Sequence, residues 1–125
     1  FHLPQGKTII EASFRLREDP EKQVGDRVRQ IIADRRDKHP LQYKNAGSIF
    51  KNPKDRPAGR LIEEAGLKGF AIGDAMVSEK HGNFIVNRGR ATSGDVLALI
   101  RYVQERVLRE KGTALELEVK IVGER

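Results

Sequence analysis

The chain of 125 residues carries 24 Lys and Arg against 18 Asp and Glu, a formal charge of +6, and it has no Cys. This length fits one domain, and the missing Cys excludes disulfides, zinc–thiolate sites, iron–sulfur clusters and thiol catalysis within the chain. The absence of an apolar run near the ~20 residues that span a bilayer argues against a transmembrane protein. The positive excess lies in residues 20–60, with 11 basic and 5 acidic groups, which indicates an anionic partner.

The first part of the chain predicts a strand followed by a helix. Residues 8–17, TIIEASFRLR, are rich in β-branched and apolar side chains and predict a strand after a Pro-Gln-Gly turn. Asp19 and Pro20 resemble an N-cap and the first helical position, and they place a helix at about 20–37, before Pro40. Apolar side chains at helical spacing support it: Val24, Val28, Ile31 and Ile32.

The middle of the chain predicts a loop, a short helix and short strands. Residues 41–60 are rich in Gly and Pro and are expected to be a loop, which overlaps the start of a helix at 58–65. Gly66 is expected to stop that helix. The short strands are predicted at 70–72, 75–78 and 83–87.

The last part of the chain predicts a second amphipathic helix and a strand. Thr92 and Asp95 resemble a capping box, and the helix is predicted to reach Glu110 and to stop at Gly112. Residues 115–121 alternate apolar and polar side chains, which is typical of a half-buried strand. The predicted class is α+β, with a small mixed or antiparallel sheet packed against one layer of helices.

Two glutamates and one loop are the first candidates for chemistry. Glu116 and Glu118 share the polar face of the last predicted strand, which is either a solvated face or one that presents a carboxylate to a cleft. Ser48, Lys51 and Asn52, in the sequence GSIFKNP, offer a hydroxyl, a cation and an amide. These side chains either serve chemistry or satisfy the loop backbone. The serine-hydrolase elbow and the P-loop motif are both absent.

Other polar residues also admit two interpretations. Arg35 and Lys38 end the first predicted helix, where they either interact with the helix dipole or reach a partner. Lys68 and His81 lie at turns beside glycines and, taken alone, are most simply exposed polar side chains. The three His residues have no spaced carboxylate, so they form no metal-site pattern.

A small basic nucleic-acid-binding domain is the alternative that the charge leaves open. The sequence has no Trp, no RNP-like aromatic pair and no zinc finger, so the basic balance is its only support.

Four linked sequence blocks carry a resemblance. They are LPQGKTIIEASFRL, GSIFKNP, AGRLIEEAGLKGFAIGDAMVSEKHGNFIVNRGRATSGDV and LELEVKIVG. Together they resemble the UDP-N-acetylenolpyruvoylglucosamine reductase (MurB) family, in the subtype without a tyrosine-bearing loop. The resemblance implies that residues 20–125 form that family's C-terminal substrate-binding domain. Residues 1–19 would be the closing strand and exit of an upstream FAD-binding domain, the rest of which this chain lacks.

The resemblance also implies an activity. The family reduces UDP-N-acetylglucosamine enolpyruvate to UDP-N-acetylmuramate with NADPH through FAD, in cytoplasmic peptidoglycan biosynthesis. Ser48 would donate the proton and Glu118 would help stabilise the enolic intermediate. The residues implied to bind substrate are Asn52, Lys68, His81, Lys38 and Arg35.

The resemblance further implies where the cofactors and the charge belong. FAD and NADPH would be held mainly by the upstream domain, so an isolated chain is expected to be inactive. No metal, nucleic acid or membrane is implied. The basic segment 20–60 would then attract one small polyanion rather than a nucleic acid.

Overall fold

The structure is a computed structural model that describes residues 6–19 and 23–123. Its four strands form one antiparallel sheet in the order β1-β4-β3-β2. The predicted α+β class is confirmed. In chain order the elements are α1 (Val24–Lys38), β1 (Lys44–Ser48), α2 (Ala58–Glu64), β2 (Ala71–Ile72), β3 (Ala75–Val77), β4 (Phe84–Asn87) and α3 (Ser93–Lys111).

The hydrophobic core lies between the sheet and the helices α2 and α3. Both helices present one apolar stripe to it, as expected from side chains that recur every three or four residues. Burying one large aliphatic side chain contributes roughly 1.5–3 kcal/mol, so this layer supplies most of the stabilisation. The core residues of the two helices are Ala58, Leu61, Ile62, Leu99, Ile100, Val103 and Val107.

The predicted ends of α2 and α3 are confirmed. At α3, the Thr92 side chain accepts a hydrogen bond from the backbone N–H of Asp95, and the Asp95 carboxylate accepts one from the N–H of Thr92. Gly112 ends the helix with φ of 66°, in the left-handed region that glycine tolerates. Gly66 follows α2 with φ of 68°. None of the helices within the described ranges is long and apolar enough to cross a membrane.

Strand β1 corrects the prediction that residues 41–60 form a loop. Its sequence, KNAGS, is polar and almost wholly exposed, and it pairs with β4 at the edge of the sheet. Such a strand has no alternation of apolar side chains, which is the signal by which strands are recognised in sequences. The remainder of that segment, up to α2, is irregular as predicted.

Helix α1 differs from its prediction at its start and in its packing. It begins at Val24 rather than Pro20, and Pro20 lies outside the described residues. The N-cap is Gln23 rather than the predicted Asp19, although the Asp19 carboxylate accepts a hydrogen bond of 2.6 Å from the N–H of Val24. The helix contains no buried residue, and even Ile31 is 59% exposed. Its apolar stripe therefore does not pack on the core.

Residues 8–17, predicted as a strand, form no regular secondary structure. Ile10 is 96% exposed and Phe14 is 82% exposed. A strand needs a neighbour to pair its backbone groups, and no other segment within the described ranges pairs with this one. Its expected place in an upstream domain stays a prediction.

The last predicted strand, 115–121, is reduced to one antiparallel bridge between Phe50 and Leu117. Leu115 is buried and Leu117 packs on the core, as the alternation predicts. Val119 also packs on the core, whereas Ile121, which was expected to face it, is 48% exposed.

Candidate functional site

Ser48 lies at the end of β1, where that strand bulges against β4. Asn45 is opposite Val86, but Ser48 is opposite Phe84, so β1 contains one extra residue between the two pairs. Gly47 occupies the bulge with φ of 81°, and its N–H donates to the Asn45 side chain at 3.0 Å. The bulge therefore fixes the direction in which the exposed Ser48 projects.

The residues that follow Ser48 (49–52, the Ser48 segment) are joined to the residues that carry Glu118 (115–121, the last segment). The backbone N–H of Glu118 donates to the carbonyl oxygen of Ile49 at 2.9 Å, and the N–H of Lys51 donates to that of Glu116 at 2.8 Å. The two segments run antiparallel. Ser48 and Glu118 thus stand on adjoining segments, although they are far apart in the sequence.

The two glutamates of the last segment have different surroundings. Both are exposed, as the alternation predicts. The Nζ atom of Lys51 lies 3.2 Å from Oε2 of Glu116. The Glu118 carboxylate makes no ion pair or hydrogen bond with residues 6–19 or 23–123. The Glu118 carboxyl group therefore has no side-chain partner within the described ranges, beside the Ser48 segment.

Asn52 connects this region to the start of α2. Its Oδ1 atom accepts a hydrogen bond of 3.0 Å from the N–H of Ala58, the first residue of α2. Asn52 and Lys51 also border a cavity of about 300 Å³, with Glu116 on its other side. This contact serves the fold.

His81 belongs to an aromatic cluster beside β4. Its ring centroid lies 4.9 Å from that of Phe84 and 5.7 Å from that of His39, and His39 stacks on Phe84 at 5.1 Å. Burial, followed by the charge of His39, holds the pKa of His81 below its usual value. The Nδ1 atom of His81 accepts the N–H of Asn83 at 3.2 Å, so the other ring nitrogen carries the proton of the neutral ring.

A cleft of about 500 Å³ opens in front of His81 and is lined mainly by α2 and the loop before β4. Lys68 lies near this cleft, with Nζ 3.0 Å from Oε1 of Glu63, and its charge further lowers the pKa of His81. The loop packs tightly on α2, since a Cβ atom at Gly82 would lie 2.5 Å from the Gly59 carbonyl oxygen. The lining residues are Pro57, Gly59, Arg60, Glu63, Glu64, Lys80, His81 and Gly82.

Arg35 and Lys38 lie at the end of α1, where they border a cavity of about 210 Å³ with His39. The Nζ atom of Lys80 donates to the carbonyl oxygen of Arg36 at 3.3 Å, which ties this helix end to the loop that carries His81. The side chains of Arg35 and Lys38 are exposed and lie beside His39 of the aromatic cluster.

The predicted site residues therefore form two neighbouring groups. Ser48, Glu118 and Asn52 lie along the seam between the Ser48 segment and the last segment. Lys68, His81, Arg35 and Lys38 lie around the cleft and the aromatic cluster. The first turn of α2 links the groups, because Asn52 bonds to Ala58 and the next residue, Gly59, lies against the His81 ring. Within the described ranges, no cluster of His, Asp and Glu is arranged to hold a metal ion.

Sequence reasoning missed Asn83 and Phe84 as parts of this region. Asn83 is 3% exposed and hydrogen-bonds to the backbone of Phe50. Phe84 is the centre of the aromatic cluster. The sequence HGNF is typical of a turn that leads into a strand, and Asn is usually exposed in turns, so no signal marked Asn83 as buried.

Comparisons with known proteins agree on one family. The model of the UDP-N-acetylenolpyruvoylglucosamine reductase C-terminal domain matches residues 39–122. A reductase of that name from Syntrophus aciditrophicus (strain SB) is 50% identical over 98% of this chain and 39% of its own length. One from Agathobacter rectalis is 48% identical over 96% of this chain and 38% of its own length.

A solved structure gives the same result. The crystal structure of UDP-N-acetylenolpyruvylglucosamine reductase (MurB) from Thermus caldophilus has a TM-score of 0.70 and 46% identity, covering 85% of this chain and 37% of that one. The present chain spans about two fifths of the length of the curated relatives it matches.

Proposed function

The chain belongs to the UDP-N-acetylenolpyruvoylglucosamine reductase family, whose C-terminal domain it contains, and from that premise we propose that it binds the UDP-sugar substrate and supplies its proton donor. The whole protein would then be an oxidoreductase of peptidoglycan synthesis that acts in the cytoplasm. It would reduce UDP-N-acetylglucosamine enolpyruvate to UDP-N-acetylmuramate. Cell-wall biogenesis, and through it cell shape and division, would depend on that reaction.

The cofactors of this reaction are FAD and NADPH, and we assign neither to this chain. The cavities at the candidate residues are bordered by charged side chains, whereas a flavin ring requires largely apolar walls. When bound, the pair supplies the hydride. Both cofactors would be held by an upstream FAD-binding domain, which is proposed to end within residues 1–19. Residues 20–125 would form the substrate domain.

The reaction requires a hydride and a proton at adjacent carbons. Hydride adds to the methylene carbon of the enolpyruvyl group, and the electron pair of the double bond moves to the neighbouring carbon and its carboxylate. That carbon then takes a proton from the Ser48 hydroxyl, which regains one from solvent. Negative charge thus develops and disappears beside Ser48, and positioned groups that control it lower the barrier.

One observation carries this proposal: the hydrogen bond from the Glu118 N–H to the Ile49 carbonyl oxygen, which brings the Glu118 segment beside Ser48. The exposed hydroxyl and the unpaired carboxyl group both remain available to a substrate. In this arrangement Glu118 would help stabilise the enolic intermediate by donating a hydrogen bond from its protonated carboxyl group, because a carboxylate would repel the developing negative charge. Lys51 and its partner Glu116 form the polar border of the same region.

Binding of the nucleotide diphosphate is assigned to the cationic and amide side chains around the seam and the cleft. A diphosphate carries negative charge, which the excess of basic residues in 20–60 attracts over several ångströms. Asn52 would contact the UDP portion from the edge of its cavity. The other residues proposed to contact substrate are Lys68, His81, Lys38 and Arg35.

The full-length protein with Ser48→Ala tests this function. Flavin reduction by NADPH should proceed at the normal rate, and flavin reoxidation by the enolpyruvyl substrate should slow by roughly 10²–10⁴-fold, the usual contribution of a general acid. A normal rate of reoxidation would exclude Ser48 as the proton donor. Ala46→Ser in the same strand is a matched control that adds a hydroxyl without removing one.

Titration of the chain distinguishes this function from nucleic-acid binding, the alternative favoured only by its charge. We expect a response to UDP-N-acetylglucosamine and no tight binding of oligonucleotides. Strong, salt-dependent binding of an oligonucleotide without any response to the UDP-sugar would overturn the proposal.

A further inference from the structure

The side chain of Asn83 is a buried clamp on the backbone of Phe50. Its Oδ1 atom accepts a hydrogen bond of 2.9 Å from the Phe50 N–H, and its Nδ2 atom donates one of 2.8 Å to the Phe50 carbonyl oxygen. The carbonyl oxygen of Asn83 also accepts the N–H of Ile49 at 2.9 Å. Asn83 is 3% exposed, so water does not compete for these bonds.

The clamp replaces a neighbouring strand. On one side, the residues flanking Phe50 bond to the last segment, through the Ile49 carbonyl oxygen and the Lys51 N–H. The N–H and carbonyl oxygen of Phe50 itself bond to the Asn83 amide. Without that amide two buried backbone groups would lose their hydrogen-bond partners, which would destabilise this stretch of backbone.

The clamped backbone stands between the two groups proposed to carry out chemistry. Ser48 directly precedes Ile49, and Glu118 is bonded to the Ile49 carbonyl oxygen. A shift of Ile49 and Phe50 would therefore displace both the hydroxyl and the carboxylate. Displacing a reacting group by about 1 Å slows catalysis by roughly 10²-fold.

We propose that Asn83 is a positioning residue that fixes Ser48 and Glu118 in their reactive arrangement through the backbone of residues 49–50. The inference rests on the proposed function, because it assigns Asn83 to the proton-transfer step. Asn83 itself touches neither substrate nor cofactor. Its effect is on geometry, and it should appear in the rate of the oxidative step rather than in substrate affinity.

The test uses the full-length protein with Asn83→Asp or Asn83→Ala. Asn83→Asp keeps the shape and the acceptor but places a carboxylate oxygen against the Phe50 carbonyl oxygen. We expect normal flavin reduction by NADPH, a substrate dissociation constant close to that of the parent, and flavin reoxidation slowed by roughly 10²-fold per folded, flavin-loaded molecule. Asn87→Ala is the matched control, because Asn87 also holds backbone groups from β4 but does so at its other end.

The pH dependence of Asn83→Asp separates positioning from simple loss of fold. Burial raises the pKa of the introduced carboxyl, and its neutral form carries an O–H that donates to Phe50 as the amide did. Reoxidation in Asn83→Asp, relative to the parent at each pH, should therefore recover as the pH falls. Should both variants fail to fold at every pH, the amide serves the fold alone and the inference is wrong.

A double substitution identifies the group through which Asn83 acts. If it acts through Ser48, Asn83→Asp should slow reoxidation far less in a Ser48→Ala background than in the parent. Two results would overturn this inference and leave the proposed function standing. One is equal slowing of reoxidation by Asn83→Asp in both backgrounds, and the other is normal reoxidation in Asn83→Asp when Ser48→Ala is slow. A normal rate in Ser48→Ala overturns the proposed proton donor and this inference with it.

Discussion

The Nζ atom of Lys51 lies 3.2 Å from Oε2 of Glu116, and no such cation within the described ranges faces Glu118. The two glutamates are two residues apart on the same exposed side of the last segment. Their surroundings therefore differ. Glu116 is paired with an exposed cation, whereas the Glu118 carboxyl group is left for a bound ligand.

We predict that Glu118→Gln slows flavin reoxidation in the full-length protein by roughly 10²-fold or more, since the carboxyl group at the reacting centre is lost. Glu116→Gln should retain a nearly normal rate, because an exposed ion pair contributes only about 0–1 kcal/mol. Stopped-flow measurement of both half-reactions checks this. If Glu116→Gln were slow and Glu118→Gln normal, the two assignments would be exchanged.

The contact between Gly82 and Gly59 gives a prediction on stability. A Cβ atom at Gly82 would lie 2.5 Å from the backbone carbonyl oxygen of Gly59, which cannot move without shifting α2. Gly82→Ala should destabilise the chain by about 1–3 kcal/mol in urea denaturation, as overpacking does. Gly89→Ala, whose nearest atom would be 3.6 Å away, should change stability by less than about 0.5 kcal/mol. Equal stability of the two variants would contradict the close packing.

The elements that could be predicted from the sequence are those that bury an apolar face. Helix α3 has a capping box, an apolar stripe and a terminal Gly, and each of these acts locally. Strand β1 could not be predicted, because its polar residues are held only by pairing with β4. The stripe of α1 was visible, but its packing was not, because periodicity does not show what covers a face.

The candidate site shows a similar division. Ser48 and Glu118 were selected by resemblance, since neither a serine beside a glycine nor an alternating glutamate is specific. Their approach depends on one backbone hydrogen bond between distant segments, which no sequence pattern contains. The clamp by Asn83 was invisible for a different reason: burial converts a common turn residue into a backbone partner, and burial depends on the whole fold.

The capping box of α3 should govern part of the acid stability. Two hydrogen bonds with Thr92 hold the pKa of Asp95 below the usual 3.8, and the one from the Thr92 backbone N–H has the larger effect. This contribution is complete above pH 3.8 and is lost as the pH falls through the lower pKa of the folded chain. Thr92→Ala should cost about 0.5–2 kcal/mol at neutral pH. Urea denaturation from pH 7 to 2 measures both effects.

Asp95→Asn and Ser93→Ala serve as controls for that experiment. Asp95→Asn should reduce the acid-dependent loss, because the carboxylate that titrates is removed. Ser93→Ala should change little, since Ser93 is exposed and its side chain takes no part in the capping box. An unchanged acid profile in Asp95→Asn would show that other carboxylates dominate.

His81 should titrate below the ordinary histidine value of 6.5, because burial disfavours its charged form and His39 repels it. NMR titration of the ring protons measures the pKa directly. His39→Phe keeps a ring against Phe84 but removes the charge, so the pKa of His81 should rise while staying below 6.5, since burial is the larger cause. Arg101→Gln, an exposed change on α3, should leave it unaltered.

The charged form of His81 is disfavoured only in the folded chain, so its contribution to stability is complete above pH 6.5 and declines as the pH falls through the folded pKa. A pKa above 6.5 would show that attraction by Glu63 outweighs burial.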